Sequence, residues 1–291
     1  MDICKIVFVI CFATGIHCNP LFPYDLVDLT RNLGPDSIYY PTLGGYEKVI
    51  ELKGSKEYGH WVYSNVLKMT EHVGTHMDAP SHFNKVGWNM HQIPINKMVG
   101  PGVIVNVKEK ARNNPDYRIS INDIKEWEEK YGKIPDGAML IMNSGWDAKY
   151  PDKNKVYGTR NISDLSSFHH PGWHEDTISW VISNRHILFI GTDAPSFDYG
   201  QSTTFPVHVL TSKENISGLE NVANLDRIPP SGSIISAAGM KTIEGSGGPL
   251  RLYAMVPNSG AYNSAVTIGT SNMLLVVIGT CMTILINLHH F

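Results

Sequence analysis

One stretch of twelve residues, HVGTHMDAPSHF at positions 72–83, constrains this chain more than any other. It carries His72, His76, Asp78 and His82, four side chains that can bind a metal ion or transfer a proton. Neutral imidazole and carboxylate groups without a thiolate suit Zn²⁺ or Mn²⁺. The stretch therefore predicts a site that binds metal or moves protons.

The backbone of this stretch is predicted to be extended and bent. Gly74 and Pro80 disfavour a helix. In an extended strand His72, His76 and Asp78 point to one face. The Cα atoms of His72 and His76 would then lie roughly 13 Å apart at about 3.3 Å per residue, which is long for one ion. We therefore expect a bend, with Gly74 as the place for a bulge. The alternative is a strand whose histidines are hydrogen-bonded core residues.

Both ends of the sequence are typical of processing signals. Residues 1–18 place an apolar run before small and polar residues, which predicts a secretory signal peptide that ends near Cys18. The run is too short to span a membrane, and the alternative is a buried N-terminal strand. The predicted domain then covers residues 19–262.

Residues 263–291 hold a polar spacer and then an apolar run without Lys, Arg, Asp or Glu from Met273 onward. This pattern, with small residues upstream, predicts a glycosylphosphatidylinositol (GPI) anchor signal. The alternative is a single membrane-spanning helix, which usually carries basic residues on its cytoplasmic side. We therefore expect the secretory pathway, with the protein anchored at the extracellular face of the plasma membrane or secreted.

Composition supports this expectation and excludes one class of partner. The four cysteines lie in or beside the two end segments, so the domain is predicted to lack disulfides and thiolate ligands. The sequons at Asn161 and Asn215 are compatible with secretion and glycosylation. The formal net charge of −3 gives no reason to expect a nucleic-acid partner.

Between the ends, apolar strands alternate with amphipathic helices. Strands are predicted at 25–33, 61–66, 103–107, 138–142, 187–190, 234–238 and 250–256, and helices at 119–131, 171–182 and 207–212. Ser120 and Asp123 resemble a capping box, and Gly132 would end that helix. This alternation predicts a single α/β domain with a mixed, partly parallel sheet.

The remaining ligands of a metal site would come from the second half of the chain. His208 follows a proline after a loop, and Glu220 lies twelve residues later. Asp193 and Asp198 are further carboxylates nearby. Composition does not choose among these four residues, and each alone is more often a solvated loop residue.

The central stretch resembles the HxGTHxDxPxH signature of the cyclase superfamily, which includes bacterial kynurenine formamidases and isatin hydrolase. The resemblance extends over about residues 25–256. It includes DLT at 28–30, the strand that ends in Gly-Trp at 145–146, GTD at 191–193, and PVH at 206–208 with LEN at 219–221. It implies a swivelling β/β/α fold in a protein that is usually dimeric or larger.

The resemblance also implies roles for individual residues. One or two ions of Zn²⁺ or Mn²⁺ would be bound by five residues: His72, His76, Asp78, His208 and Glu220. The first three would bind one ion, and Asp78, His208 and Glu220 a second, with Glu220 touching both. His82 would be the acid/base. Tyr40 lies where formamidases usually have a tryptophan that contacts the substrate, so this departure leaves the substrate open.

The activity that this resemblance implies is hydrolysis of a small amide, such as N-formylkynurenine to kynurenine and formate. A metal lowers the pKa of bound water from about 15.7 towards 7, and His82 can transfer the proton. The alternatives are a cyclic amide or lactone, as in isatin hydrolase, and a cell-surface binding protein without turnover. The presence of every implied ligand and of His82 favours an enzyme. A surface location argues against a simple formamidase role, because tryptophan breakdown is ordinarily intracellular.

Overall fold

The computed structural model describes residues 23–54 and 59–258. Leu26–Val256 form one compact unit. The signal peptide predicted at 1–18 and the anchor signal predicted at 263–291 lie outside the described residues, and both stay predictions. Over the two described ranges, no helix is both long enough and apolar enough to cross a bilayer.

The described residues form strands and short helices in alternation. The strands are β1 Tyr24–Asp28, β2 Glu47–Lys53, β3 Tyr63–Lys68, β4 His76–Asp78, β5 Val99–Asn106, β6 Arg118–Ile119, β7 Ala138–Asn143, β8 Gly172–Trp173, β9 Ile187–Thr192, β10 Ser217–Glu220, β11 Ile234–Ser236, β12 Gly247–Pro249 and β13 Tyr253–Pro257. The helices are α1 Lys108–Asn113, α2 Ile121–Tyr131, α3 Lys153–Val156, α4 Glu175–Asn184 and α5 Pro206–Lys213.

Nine of these strands form one mixed sheet in the order β1-β13-β11-β5-β7-β9-β10-β4-β12. The central strands β5, β7, β9 and β10 are parallel to their neighbours in this group, and β4 pairs antiparallel with both β10 and β12. All residues of β7 are buried, as expected for a central parallel strand covered on both faces. The predicted mixed, partly parallel sheet is confirmed.

Alternate residues of β7 pack into two separate cores. Leu140 and Met142 face a core that α2 and α4 cover with apolar side chains such as Trp127. Met139 and Ile141 face the other core. That second core also contains residues of β1, β13 and β4, so the sheet curls around it. The architecture is therefore one helix-covered face and one face closed by the sheet itself.

Two predicted helices begin later than expected. α2 begins at Ile121 rather than Ile119, because Ser120 is its N-cap and forms the predicted capping box with Asp123. Gly132 ends it at a φ of +90°, in the region that favours glycine. α4 begins at Glu175 rather than at residue 171, because β8 pairs in parallel with β6 instead of continuing as helix.

Several strand predictions also change. The strand predicted at 61–66 is β3, which among the described residues pairs with β2 alone in an exposed two-stranded ribbon. The strand predicted at 25–33 ends at Asp28, and the one predicted at 250–256 begins only at Tyr253, as β13. The strands β2, β10 and β12 were not predicted. β10 reads SGLE, and its short, partly polar sequence carries no strand pattern.

Candidate metal centre

Strand β4 lies between β10 and β12 and carries two of the predicted ligands. His76 and Asp78 are two residues apart, so their side chains leave one face of the strand, while Met77 packs in the core. In the antiparallel register Glu220 lies opposite His76, and Gly218 lies opposite Asp78. The pairing of β4 with β10 therefore brings His76, Asp78 and Glu220 together.

The side-chain atoms of these three residues converge at short distances. His76 Nε2 lies 3.3 Å from Asp78 Oδ1 and 3.4 Å from Glu220 Oε2. His76 Nδ1 lies 3.0 Å from the carbonyl oxygen of Gly74. Because that oxygen can only accept, Nδ1 carries a proton, and Nε2 is the ring nitrogen that faces the two carboxylates.

His72 reaches the same place because the chain bends before β4. Gly74 has a φ of +63°, in the left-handed region that favours glycine, and the strand begins only at His76. His72 Nδ1 thereby comes to 2.7 Å from Asp78 Oδ1. The bend expected at Gly74 is confirmed, but it precedes the strand rather than forming a bulge within it.

His208 enters from the first turn of α5. The Asp198 carboxylate accepts two backbone N–H groups of that turn at 3.0 and 3.1 Å, and it lies 2.6 Å from His208 Nδ1. This contact leaves His208 Nε2 facing the site, 3.4 Å from Asp78 Oδ2 and 3.3 Å from Glu220 Oε1. Phe197 stacks on the imidazole with ring centroids 3.7 Å apart. Asp198 and Phe197 therefore hold the orientation of His208.

His82 lies at the end of the short 3₁₀ helix Pro80–His82 and stacks on His72, with ring centroids 4.0 Å apart. Burial lowers the pKa of His82 to about 4, against the opposing effect of the Asp78 carboxylate. The ring is therefore neutral at pH 7 and can accept a proton. It also lies close enough to ligate, because the ligand atoms of His72, Asp78 and His82 all lie within 4.8 Å of one another.

The electrostatics of the cluster favour positive charge at its centre. Burial raises the pKa of Glu220, and the neighbouring Asp78 carboxylate raises it further. Burial opposes ionisation of Asp78 too, but His72 and His208 hold the pKa of Asp78 well below its usual value. Burial would lower the pKa of His76, yet its carboxylate neighbours outweigh it and raise that pKa to about 9. A cation between the two carboxylates would relieve their mutual repulsion.

Unpaired atoms and spacing test whether a divalent ion fits. His76 Nε2, Asp78 Oδ2 and Glu220 Oε1 are buried without a hydrogen-bond partner, which is rare for polar atoms. Two ligand atoms of a tetrahedral ion with bonds of about 2.1 Å lie about 3.4 Å apart. The distances of 3.3 and 3.4 Å from His76 Nε2 and from His208 Nε2 to the carboxylates match this value. These distances fit one or two divalent ions held by His76, Asp78, His208 and Glu220, whereas His72 Nδ1 lies at a hydrogen-bond distance of 2.7 Å from Asp78 Oδ1.

Aromatic side chains border the cluster. Tyr40 lines a cavity of about 20 Å³ together with His76 and Glu220, enough for about one water molecule. The Phe205 ring lies 6.1 Å from Tyr40 and 5.5 Å from Phe83, between ring centroids. Phe205 has a φ of +48°, a strained value for a bulky residue that often marks a functional site.

The chain matches a known protein family. The family described as "Putative cyclase" covers residues 27–199, which is more than half of the sequence. The chain belongs to the cyclase family.

This chain matches named relatives over nearly the whole length of those relatives. Isatin hydrolase of Roseibium aggregatum is 29% identical over 249 residues, which cover 81% of this chain and 93% of that protein. Kynurenine formamidase of Salinibacter ruber is 25% identical over 226 residues, covering 78% of this chain and 95% of that protein. The structure of isatin hydrolase A from Labrenzia aggregata bound to benzyl benzoate superposes with a TM-score of 0.73 at 29% identity, covering 87% of this chain and 99% of that one.

The structure brings every predicted residue of this cyclase-family chain to one site. The other four predicted ligands and His82 surround Asp78, and Tyr40 lies at the edge. Their roles as ligands, acid/base and substrate contact stay predictions. Of the two undecided carboxylates, Asp198 supports His208, whereas Asp193 accepts hydrogen bonds from Ser144 away from the cluster.

Sequence reasoning missed the residues that support the histidines. Asp198 was considered but not selected, and Glu71 and Ser246 were not considered, although Ser246 lies 3.0 Å from His72 Nε2. Glu71 adjoins the central stretch, so its position could have indicated it. Ser246 lies in a Gly-Ser-Gly-Gly segment whose sequence alone indicates only a turn.

Proposed function

We propose that this chain is a metal-dependent hydrolase of a small amide. One or two ions of Zn²⁺ or Mn²⁺ would be held by His72, His76, Asp78, His208 and Glu220. The cluster of buried, unpaired ligand atoms around Asp78 carries the proposal. Its support from relatives is the similarity to isatin hydrolase and kynurenine formamidase over about four-fifths of the chain.

We assign a different role in hydrolysis to each part of the site. A bound metal would lower the pKa of a water ligand and polarise the substrate carbonyl. His82, neutral at pH 7, accepts the proton that the water loses as its oxygen attacks the carbonyl carbon. The carbon–nitrogen bond then breaks, and His82 returns the proton to the leaving nitrogen. Burial raises the pKa of Tyr40 to about 12, so its phenol stays neutral and can donate a hydrogen bond to the substrate.

The substrate we propose is an aromatic amide. Tyr40, Phe83 and Phe205 offer ring faces and edges beside the cluster, and such side chains pack against a flat ring. Similarity to isatin hydrolase, at 29% identity, favours a cyclic amide. The second candidate is an N-formyl aryl amine such as N-formylkynurenine, which the similarity to kynurenine formamidase supports.

The test is metal content and hydrolysis measured on one preparation. The purified full-length protein is depleted with a chelator and reloaded with Zn²⁺ or Mn²⁺. It is then assayed on isatin, N-formylkynurenine and related amides. We expect turnover that needs metal and that His82→Ala abolishes, while His186→Ala, at an exposed histidine, keeps it. Metal binding without any turnover would instead support a binding protein of the same fold. Failure to bind metal would overturn the proposal.

We also propose that two copies of the chain associate through the ribbon of β2 and β3. Every residue of both strands is exposed, and a two-stranded hairpin alone is marginal in water. Ile50, Leu52 and Val66 give it apolar surface, and Lys48 and Glu51 give it both signs of charge. A surface with both charges is self-complementary, as a two-fold dimer requires.

Light scattering on the protein as it elutes from a size-exclusion column tests this association. We expect twice the chain mass for the wild type and one chain mass for Ile50→Lys combined with Val66→Lys. Val86→Lys, at another exposed apolar residue, should leave the dimer intact. A wild type of one chain mass would refute the association.

The predicted end segments lead to a proposal on location. We propose that the protein enters the secretory pathway and is held at the cell surface by a lipid anchor added near residue 262. Treatment of intact expressing cells with a phosphatidylinositol-specific phospholipase should release the protein into the medium. Protein that stays on the cell would favour a membrane-spanning tail, and protein absent from the surface would refute the proposal.

A further inference from the structure

A series of hydrogen bonds connects the site to Glu71, a carboxylate for which no role was predicted. Glu71 Oε2 accepts the backbone N–H of Ser246 at 2.9 Å and its hydroxyl proton at 2.7 Å. The oxygen of the same hydroxyl lies 3.0 Å from His72 Nε2. On the other side of the ring, His72 Nδ1 lies 2.7 Å from Asp78 Oδ1.

The direction of these hydrogen bonds follows from Glu71. A carboxylate only accepts hydrogen bonds, so the Ser246 hydroxyl donates its one hydrogen bond to Glu71. The hydroxyl oxygen can then only accept a hydrogen bond from His72. His72 Nε2 must then carry a proton to complete the hydrogen bond. The other nitrogen, Nδ1, lies at hydrogen-bond distance from Asp78 Oδ1, and a bound metal ion would take the place of the proton between these two atoms.

The backbone around Ser246 holds the hydroxyl at this distance. The Ser246 carbonyl oxygen accepts the N–H of Ala79 at 2.9 Å, and the Gly245 carbonyl oxygen accepts the N–H of Met90 at 2.9 Å. A Cβ atom on Gly247 would lie 2.6 Å from His72 Cε1 and would push the segment off the ring. The glycine therefore lets the backbone touch the imidazole, and the position of Ser246 does not depend on its own side chain.

We propose that Glu71, acting through Ser246, makes Nδ1 the metal-facing atom of His72. This inference rests on the proposed metal site and deepens it. His76 and His208 are held the opposite way, because each presents Nδ1 to an acceptor and Nε2 to the cluster. The site would thus bind metal through both kinds of imidazole nitrogen, and Glu71 and Ser246 are positioning residues that contact neither metal nor substrate.

The test compares Zn²⁺ affinity among full-length variants, measured by competition with a chromophoric chelator. Ser246→Ala removes the acceptor, and we expect it to weaken Zn²⁺ binding about 10- to 100-fold. Glu71→Ala removes the acceptor that fixes the direction of the Ser246 hydroxyl, and we expect a loss in the same range. Ser246→Thr keeps the hydroxyl and should keep affinity within about threefold of the wild type. The controls Ser183→Ala and Glu129→Ala change exposed residues away from the site and should keep wild-type affinity.

Two further measurements separate positioning from a structural role. The metal-free unfolding midpoint should be the same for the wild type, Ser246→Ala and Ser246→Thr. Nuclear magnetic resonance of isotope-labelled histidine in the Zn²⁺-loaded wild type should show His72 protonated at Nε2 and ligated at Nδ1. Ligation through Nε2, or wild-type affinity in Ser246→Ala, would overturn the inference while leaving the metal site standing. A wild type that binds no Zn²⁺ would overturn both.

Discussion

The strands of the central sheet and of the ribbon both contain apolar and β-branched residues, yet they differ in what surrounds them. β7 and most of β9 are buried, whereas every residue of β2 and β3 is exposed. The sheet can therefore hold unpaired ligand atoms of two carboxylates and one histidine at one point. Within the described residues the ribbon has no core of its own. Strand sequence alone does not determine burial, because the neighbours in the fold provide it.

The largest effect is expected where the buried sheet carries the cluster. Asp78→Asn removes one carboxylate charge from the centre of the site, and we expect loss of Zn²⁺ binding and a fall in hydrolysis of more than about 100-fold, beyond the effect of removing a supporting residue. Asp176→Asn, at a largely exposed side chain, is the control and should change neither. Metal titration and initial rates measure both. An active, metal-binding Asp78→Asn would show that the cluster is not the site.

The same substitution in sheet and ribbon tests the comparison directly. Ile141→Ala empties a fully buried position and should lower the free energy of unfolding by about 2–5 kcal/mol. Ile50→Ala changes a residue that is 57% exposed and should cost less than about 0.5 kcal/mol. Chemical denaturation at low protein concentration measures both. A large loss of unfolding free energy in Ile50→Ala that grows with protein concentration would mean that Ile50 is buried in a dimer.

The next largest effect on stability is expected where β10 packs closely beside the cluster. A Cβ atom on Gly218 would lie 2.4 Å from Phe197 Cε1 and 3.2 Å from Asp78 Oδ2. We expect Gly218→Ala to cost about 1–3 kcal/mol and to weaken metal binding. Gly34→Ala is the matched control, because its Cβ would meet no atom of the described residues within 4 Å. Equal thermal stability of the two variants would mean that β10 can move away from the cluster.

A smaller effect of burial is expected in the pH dependence of unfolding. Burial lowers the pKa of His170 to about 4, below the usual 6.5, so the fold favours the neutral ring. This contribution to stability is present above about pH 6.5 and is lost as the pH falls towards 4. Between pH 7 and pH 5 it should amount to about 2 kcal/mol.

Denaturation curves at the two pH values test this contribution. His170→Gln should reduce the pH dependence by that amount, and His186→Gln, at an exposed histidine, should not. An unchanged pH dependence in His170→Gln would mean that the pKa of His170 is the same in the folded and the unfolded chain.

Local sequence predicted much of the fold. The apolar runs that became β5, β7 and β9 were predicted because central parallel strands are apolar on both faces. The Ser120 capping box and Gly132 were predicted because they act within one turn of chain. The strands β10 and β12 were not, because short strands containing glycine become strands only by pairing with others: β4 pairs with both, and β9 also pairs with β10.

The site, like the fold, could be predicted from the sequence only in part. By itself the sequence determined that His72, His76, Asp78 and His82 lie close together, because they are close in the chain and Gly74 permits a bend. Resemblance added His208 and Glu220. Only the tertiary structure decided that Glu220 lies opposite His76, that Asp198 holds His208, and that Ser246 reaches His72. These contacts depend on strand register and on loops that meet from distant parts of the chain, and no local pattern encodes either.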